Sequence, residues 1–337
     1  MVIGTADAAA SPSGQLHVAV ALDGYGWHRL AWRSALRDDP GAPSALSGDH
    51  WAALAVTAER GLLDFVTVDD TLTPQPGRRA HISPGRLAGR GDAVLAAARM
   101  AAATEHIGVI PVATVTHTVP QRVARAIATL DALSAGRAGW QVRVSTSAHE
   151  AALFGRGGPG APDALFDDAV DSLEVARRCW ADADPSPPQG QPVIAALAHA
   201  TRVYEFASAA ADLVFITPGD DDELQALLAE VAALGDLRVY ADAVVTFGGD
   251  TAFGSDAVIL DDGPEEIAEL IVRWHDIGVH GVRLRPAVQH RDLPVIVDRV
   301  VPLLQRTGRF RSAYADGETL RTRLGLRCPA DRNVATP

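Results

Sequence analysis

The side chains of this sequence that could carry chemistry stand directly after apolar runs. The clearest group follows the apolar run 138–144 and combines hydroxyl, imidazole and carboxylate side chains: Ser145, Thr146, Ser147, His149 and Glu150. An imidazole and a carboxylate can exchange protons, and hydroxyl groups can orient a polar ligand. Because ligands of parallel α/β proteins bind beyond the carboxyl ends of the strands, this cluster predicts a binding site.

Other polar residues hold the same position relative to predicted strands and are candidates too. They are His28, Asp69, Asp70, Thr114, Thr116, His117, Gln141, His199, Thr217, Thr246, Arg283 and Arg285. His28 is an acid–base group or a polar loop residue, and the two aspartates form a carboxylate pair or an ordinary turn. Adjacent side chains of an extended backbone point opposite ways, so only one aspartate is expected to face the site.

Arg143 lies inside the run 138–144, where an apolar side chain would be expected. A buried guanidinium group needs a partner. Arg143 is therefore expected either to pair with a carboxylate inside the protein or to face an anionic ligand.

Several other kinds of site are disfavoured. His275 and His280 lack the i, i+4 spacing of a helical metal pair, and His149–Glu150 lacks the second histidine of an HExxH motif. No GxSxG motif of the hydrolases is present. All 30 basic residues are arginines, so no lysine can form a Schiff base with a substrate. We expect no metal site.

The composition limits the partners. The chain has 337 residues, of which 47% are hydrophobic, so it can bury a large core. Its net charge of −12 argues against nucleic acid or an anionic membrane as a partner. The two cysteines, Cys179 and Cys328, form no CxxC pair, and the first residues lack the features of a signal peptide. We expect a soluble cytoplasmic protein.

Apolar runs and helical patterns alternate along the chain. Strands are predicted at 16–22, 64–68, 107–113, 138–144, 192–197, 212–216, 237–245 and 281–285. Helices are predicted at 50–60, 92–104, 120–134, 163–181, 200–210, 221–234, 264–277 and 293–306, the last bent at Pro302. Eight such units predict a (β/α)₈ TIM barrel of α/β class, a single domain over residues 1–337. A doubly wound open sheet is the alternative, although no GxGxxG follows any strand.

Several segments carry a family resemblance. YGWHRLAWR at 25–33, TAERGLLDFVTVDD at 57–70, the stretch 106–140, PPQGQPVI at 187–194 and the tail 301–326 occur in this order. They resemble segments of the flavin-dependent monooxygenases related to bacterial luciferase, in particular the branch with the nitrilotriacetate, EDTA and dibenzothiophene-sulfone monooxygenases. The resemblance implies a luciferase-like barrel, reduced FMN supplied by a separate flavin reductase, and dioxygen as co-substrate. Some relatives use a reduced deazaflavin instead.

The resemblance also implies roles for individual residues. The residues expected to approach the flavin are Asp70, Thr114, Gln141 and Ser145. His199 and the amide groups of Ala200 and the residues after it would approach the phosphate, and His28 would be nearest to oxygen and to a small organic substrate. We also expect a homodimer.

The chain departs from the family where the flavin phosphate is expected. The family's AGxSxAG segment appears here as LAHATRV, with Ala198 and Ala200 in place of its glycine and serine. A family tyrosine corresponds to Phe166 and a nearby histidine to Pro162. The chain is also shorter before Pro187 and between 242 and 263.

These departures leave two hypotheses. Arg202, at the start of the helix after strand 192–197, could grip the phosphate in place of the lost hydroxyl groups. Alternatively, the chain is a catalytically silent barrel that binds a ligand or a partner subunit.

Overall fold

The fold was analysed in a computed structural model that describes residues 14–75 and 87–327. Cys328 therefore lies outside the described residues. The strands are β1 His17–Leu22, β2 Phe65–Val68, β3 Gly108–Thr114, β4 Gly139–Arg143, β5 Val193–Leu197, β6 Leu213–Ile216, β7 Arg238–Val245, β8 Ile259–Leu260 and β9 Gly281–Pro286.

Eight of these strands close into a parallel barrel. Each strand from β1 to β6 pairs with the strand that follows it in the chain. The ring closes because β7 pairs with β9 and β9 pairs with β1. The two-residue strand β8 continues the line of β6 along β7, outside the ring. This closed ring confirms the predicted (β/α)₈ barrel and excludes the open doubly wound sheet.

Helices surround the ring. They are α1 Ala31–Asp38, α2 Gly48–Arg60, α3 Ala93–Ala101, α4 Pro120–Leu133, α5 Ala148–Leu153, α6 Pro162–Ala181, α7 Thr201–Ala210, α8 Asp221–Leu234, α9 Pro264–Ile277, α10 Gln289–Val295, α11 Val301–Arg306 and α12 Leu320–Arg323. None of the helices in the described part of the chain is long and apolar enough to cross a membrane.

The strands are apolar runs because both of their faces are covered. Side chains on one face pack against the helices in the main core. Side chains on the other face fill the barrel with a second apolar cluster, which includes Phe65, Ile110, Phe215 and Tyr240. Beyond this cluster the barrel interior becomes polar, with Gln141, Asp242 and Arg283, whereas the polar residues His17 and Arg238 stand at the first positions of β1 and β7.

The C-terminal helix α12 closes the apolar end of the barrel. Leu320 and Leu324 belong to the interior cluster, and the Leu320 amide donates to the carbonyl of Gly136. A Cβ at Gly108 would lie 2.7 Å from Leu320 Cδ1, so this close approach needs glycine. Gly136, predicted to cap α4, has φ +84° and lies two residues beyond the actual C-cap, Ser134; its amide donates to the carbonyl of Asp131 in the last turn.

The final long helix changes type just before Pro302, the residue at which a bend is predicted. Pro294 lies inside α10, and a π-helical turn at Ile296–Val300 joins α10 to α11. Pro302 stands in the first turn of α11, directly after the π-helical turn. The bend at Pro302 stays a prediction.

Candidate functional site

The polar end of the barrel interior is centred on a buried ion cluster. Asp242 of β7 accepts hydrogen bonds from Arg283 Nε at 3.1 Å and from Arg285 Nε at 2.8 Å. All three side chains are at most 2% exposed. Burial alone would raise the pKa of Asp242, but the two guanidinium groups outweigh it and lower that pKa. The cluster therefore holds a carboxylate between two arginines at the centre of the barrel.

The cluster reaches across the barrel to three other elements. Arg283 Nη1 donates to Gln141 Oε1 of β4 at 2.7 Å, and the guanidinium lies 3.6 Å from the ring centroid of Phe215. Arg285 Nη1 donates to Asp256 Oδ1 at 2.5 Å. Asp256 belongs to the loop after β7, so this loop is tied across the barrel mouth.

A second network contains the sequence-predicted cluster after β4. The buried carboxylate of Glu150 accepts from Arg143 Nη2 and from Thr71 Oγ1, both at 2.9 Å, and from Ser145 Oγ. Arg143 Nη1 also donates to Thr114 Oγ1 at 3.0 Å. Burial would raise the pKa of Glu150, but the hydrogen bonds from Arg143 and Ser145 lower it. Arg143 thus pairs with a carboxylate, one of its two expected partners.

His28 is held by the loop that follows β1. Its backbone amide donates to Ala287 O at 2.9 Å, and Gly26, with φ +141°, lies so close to Ala287 that a Cβ would meet the carbonyl oxygen at 2.3 Å. The Leu30 amide donates to His28 Nδ1 at 3.2 Å, so a neutral ring carries its proton on Nε2.

The Nε2 atom of His28 is buried and makes no hydrogen bond with the described residues. The Asp250 carboxylate lies 3.6 Å away, beyond hydrogen-bonding distance, and the ring of Phe253 packs edge-on at 4.7 Å. His28 lines a cavity of about 120 Å³ together with Asp23 and Arg90. The imidazole N–H is therefore buried beside Asp250 and Phe253, with no acceptor within hydrogen-bonding distance among the described residues.

The two adjacent aspartates after β2 point to different neighbours. Asp69 shares Arg90 with Asp23, at 2.8 and 2.6 Å. Asp70 accepts from the backbone amides of Thr71 and Ala93 and so caps α3, and burial raises its pKa. Asp69 is therefore linked to the residues around His28 through Arg90, whereas Asp70 bonds to the start of α3; neither aspartate is among the described residues that line that cavity.

The residues expected at the phosphate lie at the start of α7. His199 Nδ1 is 3.0 Å from Thr217 Oγ1, and its Nε2 is 3.1 Å from Asp256. Ala200 is the N-cap of α7 and offers no side-chain hydrogen bond. Arg202 is turned towards α6, where it contacts Asp167 and the carbonyl of Asp163.

The structure thus brings together only some of the predicted residues. Thr114, Gln141 and Ser145 lie in the two networks, while His28 and His199 approach the same loop through Asp250 and Asp256. Sequence reasoning missed Asp23, Arg90, Asp242 and Asp256; only Asp242 gave a signal, as a carboxylate inside an apolar run. Among the described residues, no group of three or more His, Cys, Asp or Glu side chains is arranged to hold a metal ion.

Comparison with known proteins gives consistent matches. The profile of the family described as Luciferase-like monooxygenase matches residues 32–252. The dibenzothiophene-sulfone monooxygenase of Rhodococcus erythropolis is 26% identical over 413 aligned positions, which cover 84% of this chain and 91% of that protein. Component A of the nitrilotriacetate monooxygenase of Aminobacter aminovorans is 33% identical over 143 residues, 39% of this chain and 30% of that protein.

A solved structure shows the same fold. The EDTA monooxygenase from Chelativorans sp. BNC1 superposes with a TM-score of 0.78 at 19% identity, over 93% of this chain and 98% of that one. The alignment with the Rhodococcus protein, at 413 positions, is longer than the 337 residues of this chain. That relative therefore contains segments that this chain lacks.

Proposed function

Because the chain belongs to the luciferase-like monooxygenase family, we propose that it is a flavin-dependent monooxygenase that oxidises a small organic substrate with dioxygen. The observation that supports this most directly is the buried Nε2–H of His28, which has no acceptor within hydrogen-bonding distance among the described residues and belongs to a residue that lines a cavity. A donor buried without a partner is costly, so its retention favours a ligand or substrate at this place.

A bound reduced flavin would supply the electrons that activate dioxygen. The protein would bind the flavin and exclude water, with Thr114, Gln141 and Ser145 on the strands beneath it. In this proposal, a separate reductase supplies the reduced flavin and His28 donates a hydrogen bond to substrate or oxygen. The homodimer and the cytoplasmic location stay predictions, to be checked by sedimentation and by cell fractionation.

The barrel mouth fits one part of FMN and not the other. His28 and the hydroxyl and guanidinium groups of β3 and β4 can serve the polar edge of a flat heterocycle. At the start of α7, however, Arg202 is already surrounded by carboxylates and Ala200 has no hydroxyl. The residues present fit the flavin ring but not its phosphate.

A second candidate is a barrel that binds a ligand without oxygen chemistry. The ion pairs at the mouth favour this candidate, because carboxylates already neutralise the arginines there. These arginines are Arg90, Arg143, Arg283 and Arg285. No charge from this set is left to hold an anionic ligand.

An anaerobic titration would test the proposal. We expect reduced flavin to bind, reduced deazaflavin to bind more weakly, and oxygen to be consumed faster when a substrate is added from a panel of sulfones, thioethers and aminocarboxylates. In the His28→Gln variant, we expect substrate oxidation to fall about a hundredfold while flavin binding is retained. His106→Gln, at the opposite end of the barrel beside Tyr314, is the matched control. Absence of flavin binding at millimolar concentration would favour the second candidate.

A further inference from the structure

Helix N-termini at the barrel mouth are where a terminal phosphate would be expected, because their free amides and dipole favour an anion. Most of the described helices that begin at the mouth already have carboxylates in or beside their first turn. They are Asp92 and Asp70 at α3, Glu150 in α5, Asp163 in α6, Asp221, Asp222 and Glu223 in α8, Glu265 and Glu266 in α9, and Asp292 in α10. A further anion would be repelled at each of these helices.

Three of the described helices that begin near the mouth lack such a carboxylate, namely α1, α4 and α7. The amides at the start of α1 are used, because Leu30 donates to His28 Nδ1 and Ala31 to the His28 carbonyl. Helix α4 begins with Pro120, which has no N–H. Pro120 removes one amide only, so the choice between α4 and α7 rests on the family resemblance, which places the phosphate at residues 198–202; a phosphate is therefore to be tested at the start of α7.

The side chains around the start of α7 carry a surplus of negative charge. Arg202 contacts Asp167 and lies 3.2 Å from Glu205 and 3.8 Å from Asp163. One guanidinium thus faces three carboxylates, which leaves a formal charge of −2 by this count. The phosphate of FMN, itself nearly doubly charged at neutral pH, would approach a negative surface.

The neutral groups nearby are also engaged. Thr201 Oγ1 donates to Glu230 of α8 at 2.6 Å, and Ala200 has no hydroxyl. Both ring nitrogens of His199 have partners, Thr217 and Asp256. No hydroxyl or imidazole of residues 199–202 is left to compensate for the charge.

We propose that this barrel mouth takes up riboflavin, a flavin without a terminal phosphate, in preference to FMN. The inference rests on the proposed flavin-dependent function and specifies its cofactor. Riboflavin has the same ring and ribityl chain, so it keeps every contact of the ring site and avoids the carboxylates at α7. Selectivity arises here from repulsion of the competitor.

Equilibrium binding of riboflavin and of FMN to the full chain, followed by flavin fluorescence at low ionic strength, tests the proposal. We expect riboflavin to bind at least as tightly as FMN. The double variant Asp163→Asn/Asp167→Asn frees Arg202, so we expect FMN to bind about fivefold more tightly to it while riboflavin is unaffected. High salt should reduce this gain, because both carboxylates are exposed.

The matched control is Glu174→Gln/Glu269→Gln, which removes two negative charges from exposed positions on α6 and α9. This control should change neither the affinity for riboflavin nor the affinity for FMN by more than about twofold. FMN that binds the wild type at least tenfold more tightly than riboflavin would overturn the inference alone. Failure of both flavins to bind would overturn the proposed function, and the inference with it.

Discussion

At the scale of single residues, the mouth of this barrel is built from buried charges that neutralise one another. Asp242 is the clearest case, because two arginines that are almost fully buried depend on one carboxylate. The desolvation of such groups is largely offset by their partners, so the cost appears when a partner is removed.

We predict that Asp242→Ala lowers the free energy of unfolding by about 3–5 kcal/mol, because it leaves Arg283 buried without its carboxylate. Urea denaturation followed by circular dichroism measures this change. Asp298→Ala, which removes a surface pair with Arg60 whose side chains are at least half exposed, is the control and should cost about 0–1 kcal/mol. Equal losses in the two variants would contradict the prediction.

The carboxyl group of Asp23 should make stability depend on pH. Burial raises its pKa from 3.8 to about 6, despite the opposing charge of Arg90. The folded protein therefore binds this proton more tightly than the unfolded chain does. The resulting stabilisation is fully present below pH 3.8 and is lost as the pH rises through about 6.

We predict that between pH 4 and pH 7 the wild type loses about 2 kcal/mol of stability relative to Asp23→Asn, which cannot ionise. Urea titrations of both proteins at a series of pH values give this difference directly. Parallel curves for the two proteins would show that Asp23 titrates alike in the folded and unfolded states.

At the scale of elements, the short helix α12 contributes more to the fold than its length suggests. Leu320 is fully buried in the barrel interior, under the starts of β2 and β3. We predict that Leu320→Ala lowers the free energy of unfolding by about 2–5 kcal/mol, since it opens a cavity at the base of the barrel. Leu133→Ala, at a leucine that is 67% exposed, is the control and should change stability by less than about 0.5 kcal/mol. Thermal and urea denaturation measure both.

The regular elements could be predicted because their signals are local. Buried parallel strands are apolar runs. Pro120 and Pro264 mark the first residues of α4 and α9, and Gly136 lies shortly after the end of α4. The elements that were missed are α1, α5, β8 and α12. Each has at most eight residues, too few to show a helical or strand period, and α12 is fixed by contacts with distant segments.

The site was less predictable than the fold, because its charges pair over long distances in the chain. Arg202 meets Asp167, 35 residues away, and Arg283 meets Asp242, 41 residues away. The alternation of side chains indicated that only one of Asp69 and Asp70 faces the site, but not which one. The pairing of Arg90 with Asp69 is of the same kind, because nothing in the sequence links Arg90 to that position.

At the scale of the whole molecule, the closed ring makes the first and last strands depend on each other. Strand β1 pairs with β2 and with β9, so neither half of the chain can form a complete ring alone. We predict a single unfolding transition, because the ring loses pairing on both sides when any strand leaves. Fluorescence of the buried Trp140, Trp180 and Trp274 should change together with the circular dichroism signal. Two separated transitions would contradict the single-domain prediction.

The plug formed by α12 also has a consequence for biosynthesis. Leu320 and Leu324 seal the apolar interior, and Arg323 donates to the carbonyl of Asp64, far earlier in the chain. Before these residues emerge from the ribosome, the nascent chain would already contain all the strands of the ring. The apolar side chains at the base of the barrel would still be exposed, because α12 would not yet cover them. Such an intermediate is a natural client for chaperones that recognise exposed apolar surface, and its release would coincide with synthesis of the last short helix.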